Sequence, residues 1–153
     1  MSEQPGTDPL HPIDSPTGWV ARQIALYVET DGREGSTQRG APLLLLTTQG
    51  RKSAKWRRTA LIFGQSGENY IIVASKGGAA RHPAWYLNLK ANPEVHVQVY
   101  ARTFTAIART ATAEEKPQLW SLMAKIWPDY NEYVKKTTRD IPVVILSPVA
   151  GAA

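Results

Sequence analysis

Short apolar runs that alternate with polar residues, and not long helical repeats, dominate the middle of the chain. Runs rich in β-branched and aromatic residues and bounded by glycine, proline or asparagine are typical of β-strands. The pattern predicts six strands, over residues 42–48, 57–64, 69–75, 94–100, 103–112 and 141–147. Ser66-Gly67-Glu68-Asn69 and Ala101-Arg102 are short enough to be hairpin turns, which indicates mostly antiparallel pairing.

Three other segments repeat their apolar positions at helical spacing: residues 19–28, 83–91 and 114–136. The last is interrupted at Trp127-Pro128, because proline lacks an N–H donor and disfavours helical geometry at the residue before it. Six short antiparallel strands crossed by a helix indicate an α+β fold with a closed or split β-barrel and an N-terminal helix, since closure leaves few exposed strand edges.

The length and composition indicate a single domain. The chain has 153 residues, enough to bury a core without metals or disulfides, and it has no cysteine. The proline-rich residues 1–16 predict a flexible arm, residues 17–148 the folded domain and residues 149–153 a flexible tail. Because no apolar run approaches the roughly 20 residues of a membrane span and no secretory signal pattern is present, we expect a cytoplasmic protein.

Positive charge is concentrated between two of the predicted strands. The net charge is +5, and residues 50–58 carry five cations, namely Arg51, Lys52, Lys55, Arg57 and Arg58. Arginine forks and lysine ammonium groups match phosphate oxygens, and Ser53 adds one more donor. This basic turn (residues 50–58) therefore suggests a phosphate site. A solvated loop and, because Trp56 lies among the cations, a nucleic-acid surface are the alternatives.

A second polar turn follows the predicted strand 69–75. Gly77 and Gly78 allow positive φ angles, so that successive N–H groups can point at one acceptor, and Lys76 adds a charge. The aromatic helix 83–91 begins a few residues later. Paired glycines also occur in ordinary hairpin turns, but the neighbouring basic turn favours a pocket for a flat, anionic molecule.

Aromatic residues near the end of the chain share one helix face. Trp127, Tyr130 and Tyr133 are three residues apart, so they either pack on the barrel or lie over a ligand ring with a tyrosine hydroxyl as donor. Nucleophile-elbow, P-loop and dinucleotide-binding motifs are absent from the sequence, and the three histidines are too scattered to suggest a metal site. Chemistry here would need a cofactor.

Taken together, these motifs resemble the deazaflavin-dependent nitroreductase family over roughly residues 18–147. The resemblance rests on Gly50-Arg51-Lys52-Ser53, Arg57, Ala74-Ser75-Lys76-Gly77-Gly78, the run from His82 to Pro93, Trp127-Pro128-x-Tyr130-x-x-Tyr133 and Arg139-x-Ile141-Pro142. It implies a split barrel related to the FMN-binding barrels, with coenzyme F420 as cofactor. It also implies hydride transfer from the reduced deazaflavin to an electron-poor acceptor, which is a quinone, an activated enone or a nitroaromatic.

The resemblance further implies roles for single residues. The cofactor phosphate would be held by Arg51, Lys52, Ser53, Arg57 and Thr59. The deazaflavin ring would lie against Ala74, Ser75, Lys76, Gly77 and Gly78, with Trp85, Tyr86 and Asn88 in support. The acceptor would contact Ile62, Trp127, Tyr130 and Tyr133, with Tyr130 or Tyr133 as proton donor. Ile62 and Trp127 stand where tyrosines also occur in the family, so each removes a hydroxyl from the acceptor side.

Other functions and partners fit the residues less well. An FMN-dependent oxidoreductase on the same barrel and a non-catalytic deazaflavin carrier are the alternatives, and a nucleic-acid module comes last because it would not need the two glycine and aromatic motifs. The amphipathic helix 19–28 is a candidate for contact with the inner membrane face. Because Arg22 is its only cation, this contact would be weak. We expect a monomer or a homodimer.

Overall fold

The computed structural model describes residues 5–16 and 18–149. These residues form nine strands and four helices, in the order β1 (Ile13–Asp14), α1 (Gly18–Thr30), β2 (Thr37–Gln38), β3 (Ala41–Gln49), β4 (Trp56–Ile62), β5 (Gly64–Ser66), β6 (Asn69–Val73), α2 (Ala84–Ala91), β7 (Glu94–Val99), β8 (Arg102–Thr110), α3 (Lys116–Ile126), α4 (Asp129–Val134) and β9 (Val143–Pro148). A single 3-10 turn, Lys76–Gly78, follows β6.

The strands form one curled sheet with an opening on one side. Eight of the nine described strands follow the order β1-β4-β3-β7-β8-β9-β6-β5, and β2 pairs with β3. Among them only β1 and β4 pair in parallel. Curling brings β4 close to β6, although these two strands do not pair within the described ranges. Because β1 covers β4 only at Arg57 and Arg58, residues 59–62 present a strand edge to this opening.

Strand β3 is buried on both faces, which explains its run of four leucines. Leu44 and Leu46 lie in the barrel core with residues of β6 to β9 and of α2. Leu43 and Leu45 lie on the opposite face, in a cluster with residues of α1. Successive side chains of a strand point to opposite faces, so a strand between two apolar layers has no need of polar residues.

Helices α3 and α4 cover the outer face of β6 and β9. Ile71 and Val73 of β6 pack there against Met123, Trp127 and Tyr130. The other residues of β6, Tyr70 and Ile72, face the barrel core. Helix α4 is thereby held beside the turn that follows β6, which places its aromatic residues next to the opening of the sheet.

The fold confirms the predicted α+β class and its split barrel. The six predicted strands correspond to β3, β4, β6, β7, β8 and β9. Strands β1, β2 and β5 were missed because two or three residues are too few to show a periodicity. The strand predicted over 57–64 divides at Phe63, and Gly64 lies so close to α3 that a Cβ atom there would be 2.8 Å from the Met123 sulfur. The long helix breaks at Trp127-Pro128, as predicted.

Residues 5–16 lie against β4, whereas the proline content of residues 1–16 predicts a flexible arm. The Ser15 N–H donates to the Arg58 carbonyl at 2.9 Å, and the Trp56 N–H donates to the Gly6 carbonyl at 2.8 Å. Asp14 accepts from Arg58 Nε at 2.6 Å. Proline is tolerated at strand edges, and here two prolines flank the paired residues of β1. Residues 1–4, 17 and 150–153 lie outside the described residues.

The Tyr27 hydroxyl ties α1 to the turn between β7 and β8. It accepts from the Tyr100 N–H at 2.6 Å and donates to the Gln98 carbonyl at 3.4 Å. We expect Tyr27→Phe to lower the free energy of unfolding by about 1–2 kcal/mol, because the Tyr100 N–H loses its acceptor. Urea unfolding followed by circular dichroism measures the loss. Tyr100→Phe keeps this N–H and alters a side chain that is 44% exposed, so an equal loss in that control would contradict the assignment.

Candidate active site

A cleft of about 470 Å³ lies at the opening between β4 and β6. Residues 59–62 of β4 and Val73 of β6 line it. An aromatic face that consists of Trp127, Tyr130 and Tyr133 lines it as well. The remaining lining residues come from the turn after β6, from the start of α2, from the segment after β1, from α1 and from β2: Ser75, Lys76, Gly77, Pro83, Trp85, Ser15, Trp19, Val20 and Gln38.

A smaller cavity of about 190 Å³ adjoins this cleft and is lined in part by Arg57 and Arg58 of the basic turn. The two cavities share Ser15, Thr59 and Trp85. The smaller one is otherwise lined by Ile13, Asp14, Pro16, Thr48, Arg57, Arg58, Ala84 and Asn88. The two adjoining cavities are called the groove below; the cleft is its aromatic end and the smaller cavity is its cationic end.

The glycine turn (Ser75–Ala79) presents backbone to the groove. Lys76, Gly77 and Gly78 have φ angles of 48°, 63° and 83°, directly after the right-handed Ser75. Successive right-handed and left-handed residues turn neighbouring N–H groups toward one side, where they can bind an anionic oxygen. The N–H groups of Gly78 and Ala79 donate within the turn, which leaves those of Lys76 and Gly77 outside these two bonds.

Asn88 fastens the basic turn to α2. This buried side chain accepts from the Arg51 N–H at 3.2 Å and from Arg51 Nη1 at 3.1 Å, and it donates to Thr48 Oγ1 at 3.3 Å. The Ser53 hydroxyl accepts from the Lys55 N–H inside the same turn. Asn88 therefore holds the shape of the cationic end while it also lines the smaller cavity.

The cations near the groove have different surroundings. Arg58 is paired with Asp14, and its side chain is 19% exposed. Arg57 stands on the neighbouring strand position, is exposed and lines the smaller cavity. Since Arg58 is already neutralised by Asp14, Arg57 is the cation of this cavity best able to bind an anion.

The hydroxyls of the aromatic face differ in their partners. Tyr133 accepts from Trp127 Nε1 at 3.2 Å, and the Arg39 guanidinium lies 4.0 Å from the centre of the Trp127 ring. Tyr130 has no hydrogen-bond partner within the described ranges, and no fully buried side-chain nitrogen or oxygen there lacks one. The Tyr130 hydroxyl therefore reaches the cleft surface. Burial, and to a lesser degree Tyr133, raises the pKa of Tyr130, which keeps this hydroxyl protonated.

The structure brings most of the predicted site residues to the groove: Arg57, Thr59, Ile62, Ser75, Lys76, Gly77, Trp85, Asn88, Trp127, Tyr130 and Tyr133. Arg51, Lys52 and Ser53 lie beside the groove in the basic turn without lining either cavity. Ala74 and Gly78 are buried and line neither cavity.

Tyr86 lies in the core and not in the groove. Its ring is buried among barrel residues, and its hydroxyl is 2.9 Å from Thr110 Oγ1. Residues three apart share a helix face, so α2 turns Trp85 and Asn88 to the groove and Tyr86 and Leu89 to the core. The family resemblance implies a supporting role for Tyr86, but this residue does not line the groove.

The sequence analysis missed one side of the groove. Ser15, Trp19, Val20 and Gln38 line the cleft, but they belong to the segment after β1, to α1 and to β2. Trp19 is 47% exposed at the start of α1. A tryptophan on the exposed face of an amphipathic helix indicates a binding surface, and the helical spacing of the sequence could have revealed it. The role of residues 13–15 depends on a two-residue strand and leaves no such signal.

Within residues 5–16 and 18–149, no helix has the length and apolar character needed to cross a membrane.

Comparison with known proteins identifies the family of this chain. Residues 19–148 match the family model of the F420H(2)-dependent quinone reductases. A Mycobacterium tuberculosis F420H(2)-dependent quinone reductase is 41% identical over 142 residues, which cover 84% of this chain and 95% of that protein.

Two solved structures are also similar. One is the F420-H2-dependent reductase FDR-A, with 43% identity and a TM-score of 0.65, covering 69% of this chain and 94% of that one. The other is described as a domain-swapped dimer, with 42% identity and a TM-score of 0.67, covering 87% of this chain and all of that one. Both confirm the predicted fold, and FDR-A also confirms the relationship to F420-dependent enzymes. The chain belongs to the F420H2-dependent quinone reductase family.

Proposed function

We propose that this protein is an F420H2-dependent reductase that transfers a hydride to an electron-poor acceptor, with quinones as the main class. The observation that carries the proposal is the groove formed by the two adjoining cavities. In a member of this family, it combines the cationic end at Arg57, the backbone of the glycine turn and the aromatic face in one place.

The donors of the groove fit a deazaflavin nucleotide. Arg57 would hold the phosphate, with Lys52 and Thr59 beside it, and the N–H groups of Lys76 and Gly77 would bind oxygen atoms of the ring system. Trp85, which lines both cavities, would lie between these two regions. When bound, F420H2 supplies a hydride, since a carbon atom replaces the N5 of a flavin and disfavours single-electron transfer.

The acceptor side depends on residues of this chain. Ile62 and the Trp127 ring would pack against a flat acceptor and exclude water. The Tyr130 hydroxyl would donate to the acceptor oxygen on which negative charge develops. Tyr133 would keep Trp127 in place through the bond to its indole N–H.

Quinones fit this side better than nitroimidazoles. A quinone oxygen needs one well-placed donor, which Tyr130 offers, and its ring needs flat apolar surface. Ile62 and Trp127 provide such surface but no hydroxyl. We therefore propose activated enones as further acceptors, and nitroaromatic compounds as weaker ones.

Assembly and location are further proposals. The relative described as a domain-swapped dimer supports a homodimer. A cytoplasmic enzyme at the inner membrane face would meet a lipid quinone, and α1 exposes Trp19, Leu26 and Val28, which are 47%, 40% and 40% exposed. Apolar side chains of this kind on one exposed helix support weak contact with a membrane surface.

Replacing Arg57 tests the cationic end of the groove. We expect Arg57→Ala to weaken F420 binding by about 1.5–3 kcal/mol, because a hydrogen bond to a charged phosphate is lost. Lys55→Ala removes an exposed cation from the same turn without touching either cavity, so it is the matched control. Fluorescence titration of each variant gives the dissociation constants. Equal losses in the two variants would place the phosphate elsewhere.

Quinone turnover tests the reaction itself. Purified protein is mixed with F420H2 and the soluble quinone menadione, and the return of the oxidised deazaflavin absorbance is followed with and without protein. We expect oxidation that depends on both protein and quinone. Tight binding of F420 without turnover of quinone, enone or nitroaromatic acceptors would instead favour a deazaflavin carrier.

A further inference from the structure

Arg139 lies in the connection between α4 and β9. Its guanidinium donates to backbone carbonyls at the two ends of the glycine turn. Its Nε donates to the Ala79 carbonyl at 2.8 Å, Nη1 to the Ala74 carbonyl at 3.2 Å and Nη2 to the Ser75 carbonyl at 2.6 Å. One guanidinium thus contacts both ends of the turn. The planar fork of arginine can make such a set of bonds, whereas the single ammonium group of lysine cannot.

The glycine turn needs external support of this kind. Lys76 is a non-glycine residue with a φ of 48°, a region that L-residues adopt at a cost in free energy. Lys76 and Gly77, which line the cleft, are exposed. Their conformation is maintained by the bonds at the two ends of the turn.

His82 is the fourth partner of Arg139. Nη1 of Arg139 lies 3.0 Å from Nδ1 of His82, and since a guanidinium only donates, this Nδ1 accepts. His82 is therefore neutral, with its proton on Nε2. A protonated His82 would turn this hydrogen bond into a contact between two donors.

The charges around His82 favour the neutral ring. Burial, and then the charges of Arg139 and Lys90, lower the pKa of His82, and Asp140 opposes them. Asp140 is paired with Lys116 Nζ at 2.6 Å. The Tyr86 ring lies 4.9 Å from the imidazole and carries no charge.

We propose that Arg139 is the positioning residue of the cofactor-binding turn, and that neutral His82 keeps its guanidinium in place. The inference rests on the proposed function, because the turn is taken to bind F420. It adds Arg139, which does not line the groove, and a dependence of cofactor affinity on the protonation of His82. Arg139 acts through the backbone of residues 74–79 and makes no contact with the acceptor.

Two readouts test Arg139, and one of them needs no cofactor. In Arg139→Gln, we expect the amides of Gly78 and Ala79 to exchange about tenfold faster, with unchanged exchange in β3. We expect F420 affinity to fall by about tenfold or more. Arg139→Lys keeps the positive charge, so its amide exchange and its F420 affinity should lie between those of Arg139→Gln and the wild type. Arg81→Ala is the control, because it removes an exposed positive charge beside His82 and leaves the turn intact.

The pH dependence tests His82. The pKa of His82 in the folded protein lies below the ordinary imidazole value of about 6.5. As the pH falls through this lowered pKa, His82 becomes protonated and its hydrogen bond to Arg139 is lost. We expect F420 affinity to decline and amide exchange in the turn to rise over this range. In His82→Asn the amide oxygen replaces Nδ1 as the acceptor. This variant should therefore bind F420 as tightly as the wild type near pH 7.5, and its affinity should not show the decline that protonation of His82 causes.

The outcomes separate the two proposals. Unchanged exchange and affinity in Arg139→Gln, or an equal loss in Arg81→Ala, would overturn the positioning role. The same acid decline in His82→Asn as in the wild type would overturn the part of His82. A wild-type protein that does not bind F420 would overturn the proposed function, whereas faster exchange in Arg139→Gln would still confirm that Arg139 holds the turn.

Discussion

Replacing Tyr130 with phenylalanine is expected to lower kcat for quinone reduction by about 10²–10⁴-fold, the usual loss for a positioned acid or base. The ring remains and keeps its packing against Trp120 and Tyr133, so F420 affinity should not change. Only the hydroxyl at the cleft surface is removed. Burial raises the pKa of Tyr130, so the hydroxyl stays protonated well above neutral pH, and kcat should show no loss of this donor from pH 6 to 9.

Tyr133→Phe is the matched control for Tyr130. Its hydroxyl already accepts from the Trp127 indole, so its loss frees that ring and should raise the KM for the acceptor more than it lowers kcat. Stopped-flow measurement of F420H2 oxidation, with quinone in excess, separates the two constants. A Tyr130→Phe variant with the kcat of the wild type would show that solvent supplies the proton.

The second large effect is expected at Gly78. A Cβ atom there would lie 2.8 Å from the Tyr133 carbonyl oxygen and 3.1 Å from the Tyr133 Cα, and the φ angle is +83°. We expect Gly78→Ala to lower the free energy of unfolding by about 3 kcal/mol, because left-handed strain adds to displacement of α4 backbone. Thermal unfolding by circular dichroism measures it, and the shifted α4 should also slow turnover.

Gly77 is the natural comparison, since it is the neighbouring residue with a similar backbone. Its φ angle is +63°, and a Cβ atom there would meet nothing within 4 Å. Gly77→Ala should therefore cost only the left-handed strain, about 1–2 kcal/mol. Equal losses of stability in Gly77→Ala and Gly78→Ala would contradict the idea that the close approach of α4 requires a glycine at position 78.

The elements that are long enough to show a regular spacing of apolar residues could be predicted from the sequence. Strand β3 and helix α1 have enough residues for burial to impose a recognisable period, and the proline after Trp127 marks the end of α3. The paired glycines after β6 indicated a left-handed turn, and the structure has positive φ angles there. In each case the cause lies in neighbouring residues of the chain.

What the sequence could not provide depends on contacts between distant segments. The pairing of β1 with β4 rests on two residues, and the proline-rich composition around it suggested a loose arm. The bond from Tyr86 to Thr110 and those from Arg139 to the glycine turn join positions 24 and about 60 residues apart. Their geometry follows from how the sheet closes, so no local pattern contains it.

The most direct test of the central claim is a fluorescence titration of the purified protein with oxidised F420, run in parallel with FMN. The groove, with its cationic end and glycine turn in a member of this family, predicts saturable binding of F420 at micromolar concentration or below, and much weaker binding of FMN. Preference for FMN would contradict the assignment while keeping the barrel. Binding of neither would contradict the role of the groove as a cofactor site.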